Sequence, residues 1–237
     1  MPMVLEGLLG RKPKEEPSAA VQGEKEEEQE LVKLRVQAGY YRKIIERYAA
    51  LINENEEKTV PELKALVDRN NEAVQQVRKQ VLEEVAAKKK ALGTFTEGEP
   101  YNFDKDFLMA AEAAFTLVRS LRHVHPEVSA SFWLAPKEIL ELEAADVFDK
   151  AILLCSLLKG LDAPATIMVL ELENNLIHPV VVFQYGARDY VLDASQPHAA
   201  LTTYTGALDE ILQTFSYEGA KCLKKAYEFD NENYKEF

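Results

Sequence analysis

The sequence predicts an α+β fold in which a buried helix packs on an antiparallel sheet, with a long pair of helices before this core. Residues 145–164, ADVFDKAILLCSLLKGLDAP, carry apolar side chains at helical spacing over a wide face, which is typical of a buried helix. The segments that follow are rich in β-branched residues and indicate strands. Two heptad seams lie before residue 93 and indicate the pair of helices.

The N-terminal part of the chain divides into a tail and two helices. Residues 1–26 are rich in Pro, Glu, Lys and Ser and predict a disordered tail. Across Glu27–Ile52 the apolar residues alternate three and four apart, and a second such seam starts at a capping box of Thr59 and Glu62. The short polar loop between the seams favours an antiparallel, coiled-coil-like hairpin over residues 27–92. The alternative is that both helices pair in parallel with a second chain.

Residues 93–237 predict a further domain organised around the apolar helix. Asp146 and Asp149 have the spacing of a capping box at its start, and Gly160 is a stop signal. His178 lies near the start of one predicted strand, and Asp193 ends the next. The predicted strands are Ala165–Glu171, Leu176–Tyr185, Arg188–Asp193 and Lys221–Phe229, and the other predicted helices are Asp104–His123 and Leu208–Phe215.

Several motif residues follow one another in a fixed order from Trp133 to Ser195. They are WLAPKEIL (Trp133–Leu140), Asp146, Asp149, Lys150-Ala151, Leu157-Leu158, Ala163-Pro164-Ala165, His178 and Asp193. This order resembles the transglutaminase-like, papain-like superfamily. The resemblance implies a papain/transglutaminase-like core, with a nucleophilic cysteine in the first turn of the helix and His178 and Asp193 as its triad partners. The resemblance also implies that the face of the His178 strand turns toward that first turn.

The residue at the nucleophile position is Val147, which cannot perform this chemistry. The family needs a thiolate, and valine has neither a lone pair nor a titratable proton. Ala145, Pro179 and Val180 are further departures from the family pattern. The resemblance therefore implies a pseudoenzyme in which His178 and Asp193 are vestigial triad positions.

Neither cysteine is expected to replace the missing nucleophile. Cys155 lies eight residues after Val147, roughly 12 Å along the helix, and its apolar neighbours indicate a small buried side chain. Cys222 is in the last long strand, and the sequence does not bring it near His178. Asp146 and Asp149 are better explained as caps.

Composition narrows the remaining function classes. Two distant cysteines form neither a disulfide framework nor a metal site, and His123 and His125 lack further ligands, so no metal or cofactor is expected. No apolar run reaches membrane-spanning length and no signal-peptide layout is present, so we expect a cytoplasmic protein that does not bind membranes. The net charge of −12 falls entirely after residue 93, which argues against nucleic acid as a partner.

Three functions remain open. The leading one is a non-catalytic module that binds or scaffolds a protein or peptide through the substrate cleft or the hairpin. The second is a peptidase, amidase or acyl-transferase that uses Cys222 or a carboxylate. The third is a structural protein that forms homo-oligomers through its helices. The first predicts a pocket between Val147 and His178, and the third predicts an exposed apolar helix face.

Overall fold

The computed structural model describes residues 19–56, 58–97, 101–125 and 132–237. The first helix, α1 (Ala19–Glu56), begins inside the predicted disordered tail, so the prediction is wrong for residues 19–26. These residues include Ala, Gln, Glu and Lys, which favour helix and extend the heptad segment toward the N-terminus. The rest of the predicted tail, residues 1–18, lies outside the described residues.

The predicted second helix is divided into α2 (Val60–Leu66) and α3 (Glu72–Ala91). The capping box at the start of α2 is confirmed, since the Thr59 amide donates to the Glu62 carboxylate at 2.9 Å. The break between the two helices has two causes. The amide of Asp68 donates to the Ser156 hydroxyl at 3.2 Å, and Asn71 starts a new helix by capping the amide of Ala73 at 3.0 Å.

The two heptad seams have different surroundings, and the hairpin is not confirmed. The seam of α2 and α3 is buried, and α3 packs against the helices over Phe103–Ser120, Pro136–Leu142 and Val147–Gly160. The α1 seam is about half exposed at four of its large side chains, Leu31, Leu34, Tyr41 and Tyr48. The buried seam consists of Leu63, Val67, Val74, Val77, Val81 and Val85, and it shares one hydrophobic cluster with residues up to Phe229. The predicted domain boundary after residue 92 therefore does not separate two cores.

The helical part of the core continues through short elements. The elements are α4 (Phe103–Ser120), β1 (Arg122–His123), α5 (Pro136–Leu142), β2 (Ala144–Ala145) and α6 (Val147–Gly160). The predicted helix over Asp104–His123 ends at Ser120, because His123 pairs with Ala145 in a two-stranded parallel ladder between β1 and β2. Among the described residues, no helix combines the length and the apolar character needed to cross a membrane.

The C-terminal half forms one antiparallel sheet. Its elements are β3 (Thr166–Leu172), β4 (Ile177–Tyr185), β5 (Arg188–Leu192), β6 (Thr205–Gly206), α7 (Leu208–Thr214), β7 (Ser216–Tyr217), β8 (Ala220–Phe229) and β9 (Tyr234–Glu236). The strand order is β6-β5-β4-β3-β8-β7, and β9 pairs with β8. The four predicted strands and the helix at Leu208 are confirmed to within about one residue at each end.

The sheet is covered by a helix on each face. Val181 and Phe183 pack in the same cluster as α6, which contacts both β3 and β4. Val180 and Val182 point the other way and pack in a second cluster with α7. The buried helix on an antiparallel sheet is thus confirmed, and the chain has an α+β fold.

A buried ion pair joins α3 to α4. The Lys89 ammonium lies 2.7 Å from the Asp106 carboxylate, and both side chains are less than one tenth exposed. Asp106 also accepts the amide of Asn102 at 2.8 Å, so its charge is doubly engaged at the start of α4.

We expect Lys89→Ala to lower the free energy of unfolding by about 3–5 kcal/mol, because it leaves the buried Asp106 carboxylate without its cation. Urea unfolding of both proteins measures the loss. Lys88→Ala is the matched control, since Lys88 is the neighbouring residue and its pair with Glu84 is exposed and worth about 1 kcal/mol or less. Equal losses in the two variants would show that the pair does not hold α3 to α4.

Candidate functional site

His178 and Asp193, which the family resemblance implies as triad partners, form a buried pair. The Nε2 of His178 in β4 lies 2.8 Å from Oδ2 of Asp193, which follows β5. Asp193 also accepts the amide of Ser195 at 2.9 Å, the hydroxyl of Ser195 at 2.5 Å and the side-chain amide of Gln196 at 3.0 Å. Burial tends to raise the pKa of Asp193, but the bonds from His178 and Ser195 outweigh it and lower the pKa.

The His178 ring is packed as a core side chain. It is 1% exposed, and it stacks on the ring of Tyr217 with centroids 3.9 Å apart. The Phe215 ring lies 5.9 Å from it. These rings belong to the face of the sheet that carries α7, whereas most of α6 packs on the opposite face. The resemblance implies that the His178 face of β4 turns toward the first turn of α6. The body of α6, however, packs on the other face of the sheet.

The first turn of α6 carries the predicted caps. The amide of Asp149 donates to Oδ1 of Asp146 at 2.8 Å, and the Asp149 carboxylate accepts the amide of Leu134 at 2.9 Å and, more weakly, that of Asp146 at 3.4 Å. Val147 is the first helical residue and is partly buried. Both capping assignments are confirmed, while a contact between Val147 and His178 stays a prediction.

Asp149 is unusually weakly acidic for an aspartate. Its side chain is almost fully buried, and burial together with the nearby Asp146 charge raises its pKa to about 7. A carboxyl group that keeps its proton in the folded chain but loses it in the unfolded chain makes stability fall as pH rises.

Lys150, which the sequence identified only as part of the family-like motif, lies at the site. Its side chain is 2% exposed, and its ammonium donates to the carbonyls of Arg119 at 3.3 Å and Ala194 at 3.4 Å. Burial lowers its pKa, although the nearby Asp193 charge opposes that change. One signal was available, since a lysine in an otherwise apolar helix must find polar partners when it is buried. Lys150 brings the first turn of α6 to the segment that follows Asp193.

A pocket of about 680 Å³ opens beside the His178–Asp193 pair. Tyr217 lines it and stacks on His178, and Ser195 and Gln196 line it and bind Asp193. The described residues that line the pocket do not include Val147 or His178. The pocket therefore is not the one that the sequence predicted between these two residues. The remaining lining residues are Arg119, Leu121, His123, His125, Lys150, Pro197, His198, Ala199, Thr203, Ser216 and Glu218.

His123 and His125 lie in this pocket with their rings edge to face, 4.2 Å between centroids. From the sequence no metal was expected at these histidines, because they lack further ligands. Within the part of the chain that the structure describes, no group of three or more His, Cys, Asp and Glu side chains is arranged to hold a metal ion.

The two thiols lie in surroundings that disfavour a thiolate. Cys155 is fully buried in α6, its thiol faces the carbonyl of Ala165 at 3.5 Å, and burial raises its pKa to about 12. Burial also raises the pKa of Cys222 in β8. Because β3 lies between β8 and β4, and Cys222 is opposite Leu172 whereas His178 is opposite Leu170, the backbones of Cys222 and His178 are about 12 Å apart.

Comparison with known proteins gives a partial likeness in structure. No protein-family model and no curated protein matches the chain. LapG of Legionella pneumophila superposes with a TM-score of 0.43 at 17% identity, covering 69% of this chain and 87% of LapG. Its calcium-bound form gives 0.40 at 15% identity, with 65% and 87% covered. A candidate cysteine protease of Cytophaga hutchinsonii gives 0.30 at 14% identity, with 50% and 38% covered.

We expect Asp149→Asn to flatten the pH dependence of stability. In the wild type the folded chain binds an extra proton between pH 3.8 and about 7, so the free energy of unfolding falls as pH rises through this range. The amide keeps acceptor capacity for the amide of Leu134 but has no proton to lose. Urea unfolding at several pH values measures the slope. Asp104→Asn, at an exposed position of α4, is the control and should leave the slope unchanged. Equal slopes in wild type and Asp149→Asn would contradict the raised pKa.

Proposed function

We propose that this chain is a non-catalytic transglutaminase-like module that binds a protein or peptide in the pocket beside His178 and Asp193. The observation that carries the proposal is the state of the His178 ring. It is bound to Asp193, covered by Tyr217 and 1% exposed, while Val147 occupies the first-turn position of the nucleophile. A pair held in this way stabilises the wall of a pocket and has no nucleophile to activate.

The alternative of an enzyme with a substitute nucleophile has less support. Thiol catalysis needs a lowered pKa, and burial raises the pKa of both Cys155 and Cys222. The carboxylates of Asp146 and Asp149 both accept backbone amides at or beside the start of α6, which indicates a structural role. The proposal therefore assigns binding, not acyl transfer or hydrolysis, to this site.

The pocket has features that suit a ligand of peptide size. A volume of about 680 Å³ falls within the range of roughly 300–1,000 Å³ that is usual for ligand sites. Its wall combines an aromatic ring, Tyr217, with polar side chains such as Ser195 and Gln196 whose positions are fixed by Asp193. Such a wall orders few side chains on binding, which favours affinity.

Val147→Cys tests both parts of the proposal. We expect the wild type to show no peptidase or acyl-transfer activity on a substrate panel, before or after alkylation. The new thiol should titrate below the free value of about 8.5, because it lies among the unpaired amides of a helix start. Adding His178→Ala should raise that pKa, because the imidazole at the retained triad position is lost. The rate of alkylation against pH measures both pKa values.

The fold should tolerate Val147→Cys within about 1.5 kcal/mol, and circular dichroism checks that it does. Two results would contradict the proposal. Wild-type activity that is lost on alkylation and equally in Cys222→Ser would make the chain an enzyme. Identical thiol pKa values with and without His178 would mean that the transglutaminase-like resemblance does not extend to the site.

A second candidate function, self-association, is favoured by the exposed seam of α1. Leu31, Leu34, Tyr41 and Tyr48 are each about half exposed although they repeat at heptad spacing. A helix of 38 residues with an uncovered apolar stripe is the usual component of a coiled coil between two chains.

Sedimentation velocity over a range of protein concentrations tests this candidate. We expect a reversible dimer that Leu34→Glu weakens by about tenfold or more, because a charge in the seam is desolvated on association. Val36→Glu is the matched control on the same helix, since Val36 is 69% exposed and outside the seam. A monomer at every concentration, or equal effects of the two variants, would rule out association through the seam.

A further inference from the structure

The pocket beside His178 and Asp193 concentrates positive charge in a chain whose net charge is −12. Five of its lining side chains are cationic or become so on protonation, and among the described lining residues one, Glu218, is acidic. Three of the four histidines of the sequence lie here. We name this set the cationic cluster, and it consists of Arg119, His123, His125, Lys150 and His198.

The cluster is assembled from four separate parts of the chain. Arg119 lies in the last turn of α4, His123 and His125 lie in and after β1, and Lys150 lies in the first turns of α6. His198 comes from the segment between β5 and β6. Bringing like charges together in one concave site has an electrostatic cost, and the cost falls when an opposite charge enters.

Two members of the cluster have hydrogen-bonding groups that the protein does not satisfy well. Both ring nitrogens of His123 are buried and have no hydrogen-bond partner. The Lys150 ammonium has three donors and uses two of them in long bonds to the Arg119 and Ala194 carbonyls. Burial together with the neighbours His125 and Lys150 lowers the pKa of His123, as expected where cations are crowded. A negatively charged ligand that accepts hydrogen bonds would pair with the unsatisfied donors and offset the crowded positive charge.

We propose that the cationic cluster binds an anionic group, a carboxylate or a phosphate, on the ligand of this pocket. Lys150, His123 and the two more exposed histidines line the same pocket and carry several donors, which suits a group with several negative oxygens. The proposal rests on the proposed function only in taking this pocket as the ligand site. It does not depend on the absence of catalysis.

Arg119 and Lys150 are unsuitable as first variants because they also hold the pocket wall. Arg119 donates to the carbonyl of Ala199, and Lys150 donates to that of Ala194. Replacing either side chain would therefore displace residues 194–199, of which residues 195–199 line the pocket. His125 and His198 are exposed and are the members to replace. The double variant His125→Gln with His198→Gln removes two protonatable groups and keeps side chains that form hydrogen bonds.

The experiment is isothermal titration calorimetry on the full chain at low salt. The probes are inorganic phosphate, citrate, an acetylated tri-glutamate peptide and, as the neutral comparison, an acetylated tri-glutamine peptide. We expect one site for at least one of the anionic probes and none for tri-glutamine. The double variant should bind about tenfold more weakly, since each exposed charge pair contributes a factor of about three to five. The matched control, Lys79→Gln with Lys105→Gln, removes two exposed charges outside the pocket and should bind as the wild type does.

The pH dependence isolates the role of the histidines. Affinity should rise between pH 8 and pH 6 as histidines become protonated, and the double variant should lose most of that rise. The titratable and charged groups that face the two replaced residues are His123, Lys150, Arg119, Glu218 and the hydroxyl of Tyr217, all of which remain in the variant. The part of the pH dependence due to the probe itself also remains, so the difference belongs to His125 and His198.

The probes also identify the source of the anionic group. Binding of phosphate or citrate but not of the peptide indicates a small free anion, and binding of tri-glutamate indicates an acidic segment of a protein. No binding of any anionic probe, or equal binding by the wild type and the double variant, overturns the proposal. Neither of those results bears on catalysis, which the Val147→Cys experiment decides separately.

Discussion

The Asp193 carboxylate is the interaction on which the arrangement of the site depends. It holds the ring of His178 in β4, and it fixes the turn after β5 through Ser195 and Gln196. Gln196 in turn donates to the carbonyl of Ser216, so the same anion indirectly places β7 and its Tyr217 over the histidine ring. A buried carboxylate is costly unless it is fully hydrogen-bonded, and here each of its oxygens has two donors.

This network gives a physical reason for His178 and Asp193 to be paired that does not depend on catalysis. Removing Asp193 would strand the Nε2 of His178 and the donors of Ser195 and Gln196 inside the core. The pair is thus a structural requirement of the pocket wall, separate from any role in proton transfer. The chemical reactivity of the residue at position 147 and the stability of the pocket wall are separate properties, so a substitution can change one without the other.

The elements that the sequence predicted correctly are those whose signals are local. The apolar period of α6, its Asp146 cap, the capping box at Thr59 and the β-branched runs of the sheet each lie within a few residues. The break between α2 and α3 was missed because it depends on a bond from Asp68 to Ser156, which are 88 residues apart. The α3 seam has the same heptad pattern whether a second long helix or the core covers it, so the pattern alone could not identify its partner.

The sequence identified the residues of the buried pair, but it did not identify the pocket beside them. His178 and Asp193 were identified from their order, and the structure joins them at 2.8 Å. The cationic cluster consists of residues between Arg119 and His198 that no spacing rule connects, and one of them, Lys150, lies in an otherwise mostly apolar helix. Such a cluster forms only when the sheet and its helices pack together, so no local sequence pattern predicts it.

The exposure of α1 has a consequence for the energetics of any association along it. A helix whose large seam side chains are about half exposed depends strongly on its own backbone bonds and on pairs such as Lys43 with Glu46, each worth a few tenths of a kcal/mol. Its amides should therefore exchange with solvent far faster than those of α6, which lies in the buried cluster. Covering the seam fixes the helix, and the entropy of fixing it is subtracted from the contact energy, which makes the resulting affinity modest and sensitive to temperature.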